Sequence, residues 1–364
     1  MDRMSWLGVA RAASLRCFCL LGLVGLGLLR AQGPAPSTKG SFRIVGYLPD
    51  YRVAGFDAKA SAALTDLIVF SSEPTAEGGL DLSRLKGVSW TELQAFRKQE
   101  QVRLHLAVGG WGRSRHFGKV STTRALRVAF AQAVEKACVD LQLDGIDLDW
   151  EHPAGSVEEG GYGLLMLELR RVLKPRGLTL SVTVAGWQKL MPLVIETADF
   201  VQLMAYDQPG AHSTFDGALA DVGKLRAMGV PRAKLVLGVP FYGRHRTDRN
   251  RTPTYREIVE RWKPAAGVDE VEGICFNGPE TMRRKAAYAR DEGMAGVMIW
   301  EVRQDAVGEA SLLKVVSAEI GGRAAQQMVG ETGLEPARLA PRDPKSRVSA
   351  ISPLAPGRRT VGGH

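Results

Sequence analysis

The stretch Leu143-Asp144-Gly145-Ile146-Asp147-Leu148-Asp149-Trp150-Glu151 decides the reading of this 364-residue chain. Three acids occupy alternating positions, Asp147, Asp149 and Glu151, with Ile146, Leu148 and Trp150 completing the alternation. Side chains on a strand point to its two faces in turn. All three carboxyls therefore share one face, and the apolar residues fill the other. Carboxyls held this close repel one another unless some are protonated. Stability alone gives no reason to place them there, so 145–151 reads as a strand that carries chemistry.

The surrounding sequence alternates strand and helix patterns. Candidate strands lie at 44–48, 67–70, 103–108, 145–151, 178–184, 200–205, 234–239 and 297–300. Most are short apolar runs, as expected of parallel strands covered on both faces. Helical patterns fall between them at 125–141, 162–173, 218–228 and 280–292. Eight such strands, each followed by a helix-length segment, predict an α/β fold of the (β/α)8 TIM-barrel type. A doubly wound open sheet would carry a glycine-rich phosphate loop after its first strand, and Gly46-Tyr47-Leu48-Pro49-Asp50-Tyr51 is not one.

Composition excludes little, at 45% apolar and 24% charged residues. The net charge of +9 is concentrated at the ends: residues 1–33 carry +3, residues 323–364 carry +4, and the 34–322 stretch is left with +2. No nucleic-acid partner is expected from that distribution. Residues 1–33 read as a signal peptide, with Arg3, Arg11 and Arg16 ahead of an apolar run from Cys17 to Leu29 that is short for a membrane span. A secreted or periplasmic product is expected, without stable membrane insertion after cleavage; an uncleaved anchor is the alternative. Residues 34–41 read as a linker. The tail 323–364 is rich in Arg, Pro, Ala and Ser and reads as disordered. From Glu331 on it resembles translation beyond the natural end of a gene. Export would leave Cys138 and Cys275 as the cysteines, of which Cys138 sits in a helical pattern and reads as a buried thiol.

A barrel of this kind gathers its active site at the C-terminal ends of its strands. The fourth strand is expected to end at Glu151. The third runs into Gly109-Gly110-Trp111, the sixth into Met204-Ala205-Tyr206-Asp207, the seventh into Phe241-Tyr242-Gly243-Arg244 and the eighth into Trp300-Glu301. Aromatic faces beside carboxyls suit a carbohydrate, whose C–H faces stack on rings while its hydroxyls bond to acids. His152 follows the acid, but strand parity turns it away from the site. His105, His116, His212 and His245 are scattered without metal spacing. A metal bound by the three acids is the chemical rival, and no phosphate or nucleotide motif accompanies it; neither metal nor cofactor is expected.

These residues resemble glycoside hydrolase family 18, the chitinase family. Its Asp-Gly-x-Asp-x-Asp-x-Glu signature matches 144–151, its Met-x-Tyr-Asp matches 204–207, and its Trp closing the eighth strand matches Trp300. Its Ser-x-Gly-Gly is met only in part, by Ala107-Val108-Gly109-Gly110, which removes a hydroxyl from around Asp147 but no proton donor. The resemblance covers 42–322, the expected catalytic domain. It implies a retaining hydrolase of β-1,4-linked N-acetylglucosamine glycans, in which the substrate's 2-acetamido oxygen attacks the anomeric carbon. By the same resemblance Glu151 is acid and then base, Asp149 orients the acetamido group, Asp147 shares a proton with Asp149, and Tyr206 donates to the acetamido oxygen. Trp300 and Met204 line the sugar pocket, and Asp207, Arg244, Trp111, Gly110 and Tyr47 are further substrate-binding candidates. About 35 residues separate Arg244 from the helix near Glu280, too few for a sizeable extra domain, which predicts a shallow, open cleft. Peptidoglycan and N-glycan cores share the 2-acetamido group and remain alternative substrates for a monomeric enzyme. A non-catalytic lectin-like relative is the other reading; such relatives usually lack the terminal acid that is present as Glu151.

Overall fold

The computed structural model describes residues 42–248 and 250–321. The expected signal peptide, linker and tail, at 1–33, 34–41 and 323–364, lie outside the described residues. Within them, eight parallel strands form the barrel: β1 (Arg43–Pro49), β2 (Asp66–Pro74), β3 (Arg103–Gly109), β4 (Gly145–Asp149), β5 (Thr179–Ala185), β6 (Phe200–Met204), β7 (Leu235–Pro240) and β8 (Gly296–Trp300). Each pairs with the next, and β8 pairs with β1, so the sheet closes. All eight sequence-derived strands fall on these eight.

Alternation divides the core in two. Val45 and Tyr47 of β1, Ile68 and Phe70 of β2, Ala107 of β3, Val236 of β7 and Met298 of β8 pack together inside the barrel. The intervening residues, among them Ile44, Leu67, Val69, Ile146 and Leu148, pack outward against the helices. Those helices are α1 (Trp90–Glu100), α2 (Arg124–Asp140), α3 (Gly155–Leu173), α4 (Pro192–Thr197), α5 (Phe215–Ala227), α6 (Pro279–Asp291) and α7 (Leu312–Glu319). In α3 the buried residues Tyr162, Leu165, Met166, Leu169 and Leu173 recur at helical spacing and give it one apolar face.

Two boundary differences bear on the site. Helix α3 begins at Gly155, not 162, because its first turns are glycine-rich and weak by propensity. They hold through close packing: a Cβ on Gly161 would stand 2.8 Å from Ser121 Oγ. Strand β4 ends at Asp149, two residues before Glu151. Trp150 leaves the ladder to stack on Phe117 at 5.2 Å between ring centroids.

The segment after β7 adds little bulk. Arg244–His245, Glu270–Val271 and Ile274–Cys275 form a small antiparallel sheet, and Tyr255–Trp262 is a short helix with a Thr254–Glu257 capping box. Cys138 and Cys275 are both buried free thiols. No helix among the described residues is long and apolar enough to cross a membrane.

Candidate active site

The C-terminal ends of the strands enclose a cavity of about 640 Å³. Of the residues expected from the sequence, Asp149, Glu151, Tyr206, Met204, Asp207, Trp111, Arg244, Tyr47 and Trp300 line it. Asp147 lies directly beneath, fully buried. Gly110 is a correction: it does not line the cavity but supports its floor. Its backbone N–H donates to the Asp149 carbonyl at 2.6 Å, and at φ +102° it leaves room for Phe70, whose ring a Cβ there would meet at 2.3 Å.

Asp147 and Asp149 point into the barrel on one face of β4, as the alternation required, yet their surroundings differ. Asp147 accepts four hydrogen bonds, from Tyr47 Oη at 2.7 Å, Ser181 Oγ at 2.6 Å, Thr183 Oγ1 at 2.8 Å and Gln202 Nε2 at 2.7 Å. The donors come from β1, β5 and β6, so the missing serine hydroxyl at position 107 leaves Asp147 well supported. Tyr47, expected as a sugar contact, touches the cavity but spends its hydroxyl on Asp147 and is 1% exposed. Asp149 has no such cradle; its Oδ1 is buried without a hydrogen-bond partner among the described residues. Burial, then the charges of Glu151 and Asp147, push its carboxyl well above the usual carboxylate range. Asp149 is therefore a poorly satisfied carboxyl whose ionised form is disfavoured, beside a saturated one.

Glu151 stands just past the strand end, and its backbone N–H donates to Ser114 Oγ at 3.0 Å. Burial raises its carboxyl to about 7, against the lowering effect of the Trp111 N–H that bonds to it and with a further push from Asp207. A carboxylic acid titrating near neutrality is suited to both giving and taking a proton. Across the cavity, burial and then the charges of Asp149 and Asp207 raise the Tyr206 phenol well above its ordinary value, so it stays a neutral donor. Asp207 has a left-handed backbone, φ +60°. Its Oδ1 accepts from Tyr242 Oη at 2.6 Å, and its Oδ2 pairs with Arg244 at 3.1 Å. Burial would raise this carboxyl, but the contacts with His212, Tyr242 and Arg244 bring it below its ordinary value. Trp300 forms the floor, packed against Tyr47 and Phe70 at 5.5 and 4.9 Å between centroids.

His152 is the second correction. Parity turned it away, but the strand has already ended, and His152 lines the cavity with its Nε2 3.6 Å from Glu151 Oε2. Several lining residues escaped the sequence reading: Tyr51, Phe70, Arg113, Thr183 and Trp187; Tyr242, read as part of the seventh strand's rim, lines the cavity as well. Inward parity on β2 and β5 was a signal for Phe70 and Thr183. Nothing local marked Trp187 or Arg113. Trp111, Trp187 and Tyr51 are 81%, 67% and 63% exposed and stand at the mouth as free aromatic faces.

The comparisons agree with this geometry. The model of the glycosyl hydrolases family 18 matches residues 43–305. Endochitinase 1 of Metarhizium robertsii is 27% identical over 284 residues, covering 62% of this chain and 67% of its own. Chitinase 1 of Aphanocladium album is 27% identical over 295 residues, covering 65% and 70%. Among solved structures, the family 18 chitinase ChiB of Flavobacterium johnsoniae superposes with a TM-score of 0.70 at 28% identity, over 77% of this chain and 94% of that one. With its closed barrel, its acids at one rim and this family match, the chain belongs to glycoside hydrolase family 18 and is a glycoside hydrolase.

Proposed function

We propose that residues 42–322 form a secreted enzyme that cleaves β-1,4 bonds of chitin or chito-oligosaccharides with retention, using the substrate's own acetamido group. The observation that carries this reading is the contrast among the three acids. A retaining enzyme with a protein nucleophile needs an ionised, accessible carboxylate opposite its acid. Asp147 is buried and saturated, and Asp149 is buried with its ionised form disfavoured, so neither is suited to attack. The acetamido oxygen fills that role. A protonated Asp149 donates to or orients the acetamido group and, on losing its proton toward Asp147, stabilises the cationic ring that forms. Tyr206 donates to the acetamido oxygen. Trp300 supports the distorted sugar, with Met204 beside it; Asp207, Arg244 and Trp111 meet sugar hydroxyls and faces.

Glu151 gives its proton to the glycosidic oxygen as that bond breaks, and recovers one from the water that opens the cyclic intermediate. Its titration near 7 supports both steps. The names of the relatives, endochitinase and chitinase, favour chitin over other 2-acetamido glycans. The test is hydrolysis of aryl chito-oligosaccharides of one to three sugars by wild type and Glu151→Gln. Loss of ~10²–10⁴-fold in kcat with binding retained is expected of a lost general acid. Equal rates in the two proteins would overturn the assignment, and binding without cleavage by either would point to a lectin.

A further inference from the structure

Three residues hold the same place on three neighbouring strands. Trp111, Glu151 and Trp187 each stand two residues past a strand's last residue, Gly109 of β3, Asp149 of β4 and Ala185 of β5. These strands pair in that order, and all three residues line the main cavity. The acid is thus flanked along the rim by two indoles, both largely exposed. Tyr51 holds the same place after β1, which lies four strands from β5 in the closed ring of eight and therefore across the mouth from it. Trp300, at the end of β8, forms the floor between them.

Trp187 is mounted as a fixed platform. Gly186 before it packs so closely on α5 that a Cβ there would stand 2.3 Å from Asp221 Cγ. Gln188 after it is buried, and its backbone N–H donates to the Ala185 carbonyl at 3.0 Å. The Gln188 Oε1 lies 2.9 Å from His152 Nδ1, and the His152 ring packs edge-on against the indole, 4.4 Å between centroids. Both chain neighbours of Trp187 are therefore held, while most of its ring stays in water. An indole left exposed in this way contributes little to the fold. Large apolar surface kept ready in a cleft suits a ligand, because the ordering cost is met before binding.

We propose that Trp187 binds the sugar units on the leaving-group side of the cut bond, opposite Trp111 across the acid; this rests on the reading of Glu151 as the proton donor to the glycosidic oxygen. In that reading the reacting sugar lies over Trp300, with Asp149 and Tyr206 at its acetamido group. The acid must stand within hydrogen-bond reach of the bond that breaks. Units beyond it, away from Trp300, belong to the leaving group. Trp111 and Trp187 border that space, and Tyr51 stands at the other end of the cleft. Each indole offers its face to the C–H face of a pyranose ring. The leaving group is then gripped from the β3 and β5 sides, and that grip helps to set where a chain is cut.

Two measurements test this. Chitohexaose is hydrolysed in oxygen-18 water and the early products are weighed by mass spectrometry; the fragment from the leaving side is the unlabelled one. In Trp187→Ala the unlabelled fragments should become shorter. Its kcat/KM on chitohexaose should fall about 2- to 12-fold, the range of one aromatic stacking contact. The fall should exceed that on aryl chitobioside, whose leaving group is a single small aglycone, and Trp187→Phe should restore much of the pattern. In the second measurement chitohexaose is titrated calorimetrically into Glu151→Gln, and adding Trp187→Ala should weaken binding by a similar factor. An unchanged cutting pattern in Trp187→Ala overturns the proposal. So do longer unlabelled fragments, which would put Trp187 on the other side of the cut, and an equal loss on both substrates, which would make its role structural. If Glu151→Gln hydrolyses at the wild-type rate, the acid assignment falls instead, and the oxygen-18 pattern still decides on which side of the cut Trp187 binds.

Discussion

Asp147 and Asp149 lie two residues apart on one strand and have opposite surroundings, and the difference is set by what the neighbouring strands put against them. Four donors converge on Asp147, all buried with it. Removing the acceptor strands those donors, and each buried polar group without a partner costs about 1–3 kcal/mol. Asp147→Ala should therefore lose about 3 kcal/mol or more of stability in urea unfolding, whereas Asp149→Ala, at a carboxyl that is itself short of partners, should lose far less. Equal losses would mean that the network around Asp147 contributes nothing. The three acids themselves were legible in the sequence because alternation is a local property. The donors to Asp147 were not, since Tyr47, Ser181, Thr183 and Gln202 meet there only through the register of the closed barrel. His152 was misjudged for a related reason: parity holds only while the strand does, and no residue before Glu151 announces its end.

At the scale of elements, the loop after β6 carries Tyr206 and Asp207 and is pinned from behind by α6. Lys285 of α6 is fully buried, and its ammonium donates to Ser213 O, Ser213 Oγ and Asn277 Oδ1 at 2.8–2.9 Å. Ser213 Oγ in turn donates to the Ala205 carbonyl at 2.7 Å. Burial lowers the Lys285 ammonium to about 7, only partly offset by Asp269. Between about pH 7 and its unfolded value the unfolded chain binds the extra proton, so this lysine makes stability rise with pH across that window and exacts its full penalty below it. The limiting slope is about 1.4 kcal/mol per pH unit. Lys285→Met removes this contribution, so the stability of wild type minus that of the variant should grow by about 2 kcal/mol between pH 7 and pH 9, measured by urea unfolding. A constant difference would mean that Lys285 stays charged throughout. The eight strands and the later helices were readable from apolar runs alone. The glycine-rich start of α3 was hidden because its helix is held by packing rather than propensity, and the lysine clamp because it joins residues 72 apart in the chain.

Across the whole molecule the two ends of the barrel have different chemistry. At the N-terminal end Asp66 gathers Arg43, Arg103 and His105, and although burial alone would raise its carboxyl, these partners hold it far below the usual range. That end is closed by ion pairs, whereas the C-terminal end carries raised carboxyls and free aromatic faces. The wall beside the open end is the small sheet of Arg244–His245, Glu270–Val271 and Ile274–Cys275, each strand two residues long. A wall that low gives a polymer no tunnel to thread and no need to present a chain terminus. Long strands are therefore expected to settle across the cleft from the side and to be cut in their interior, with release between cuts. A solution of soluble glycol chitin should thin before sugar accumulates: its viscosity should halve while only a few per cent of its linkages have been converted to new reducing ends. Reducing ends that rise ahead of any loss of viscosity would instead mean that chains are consumed from their tips.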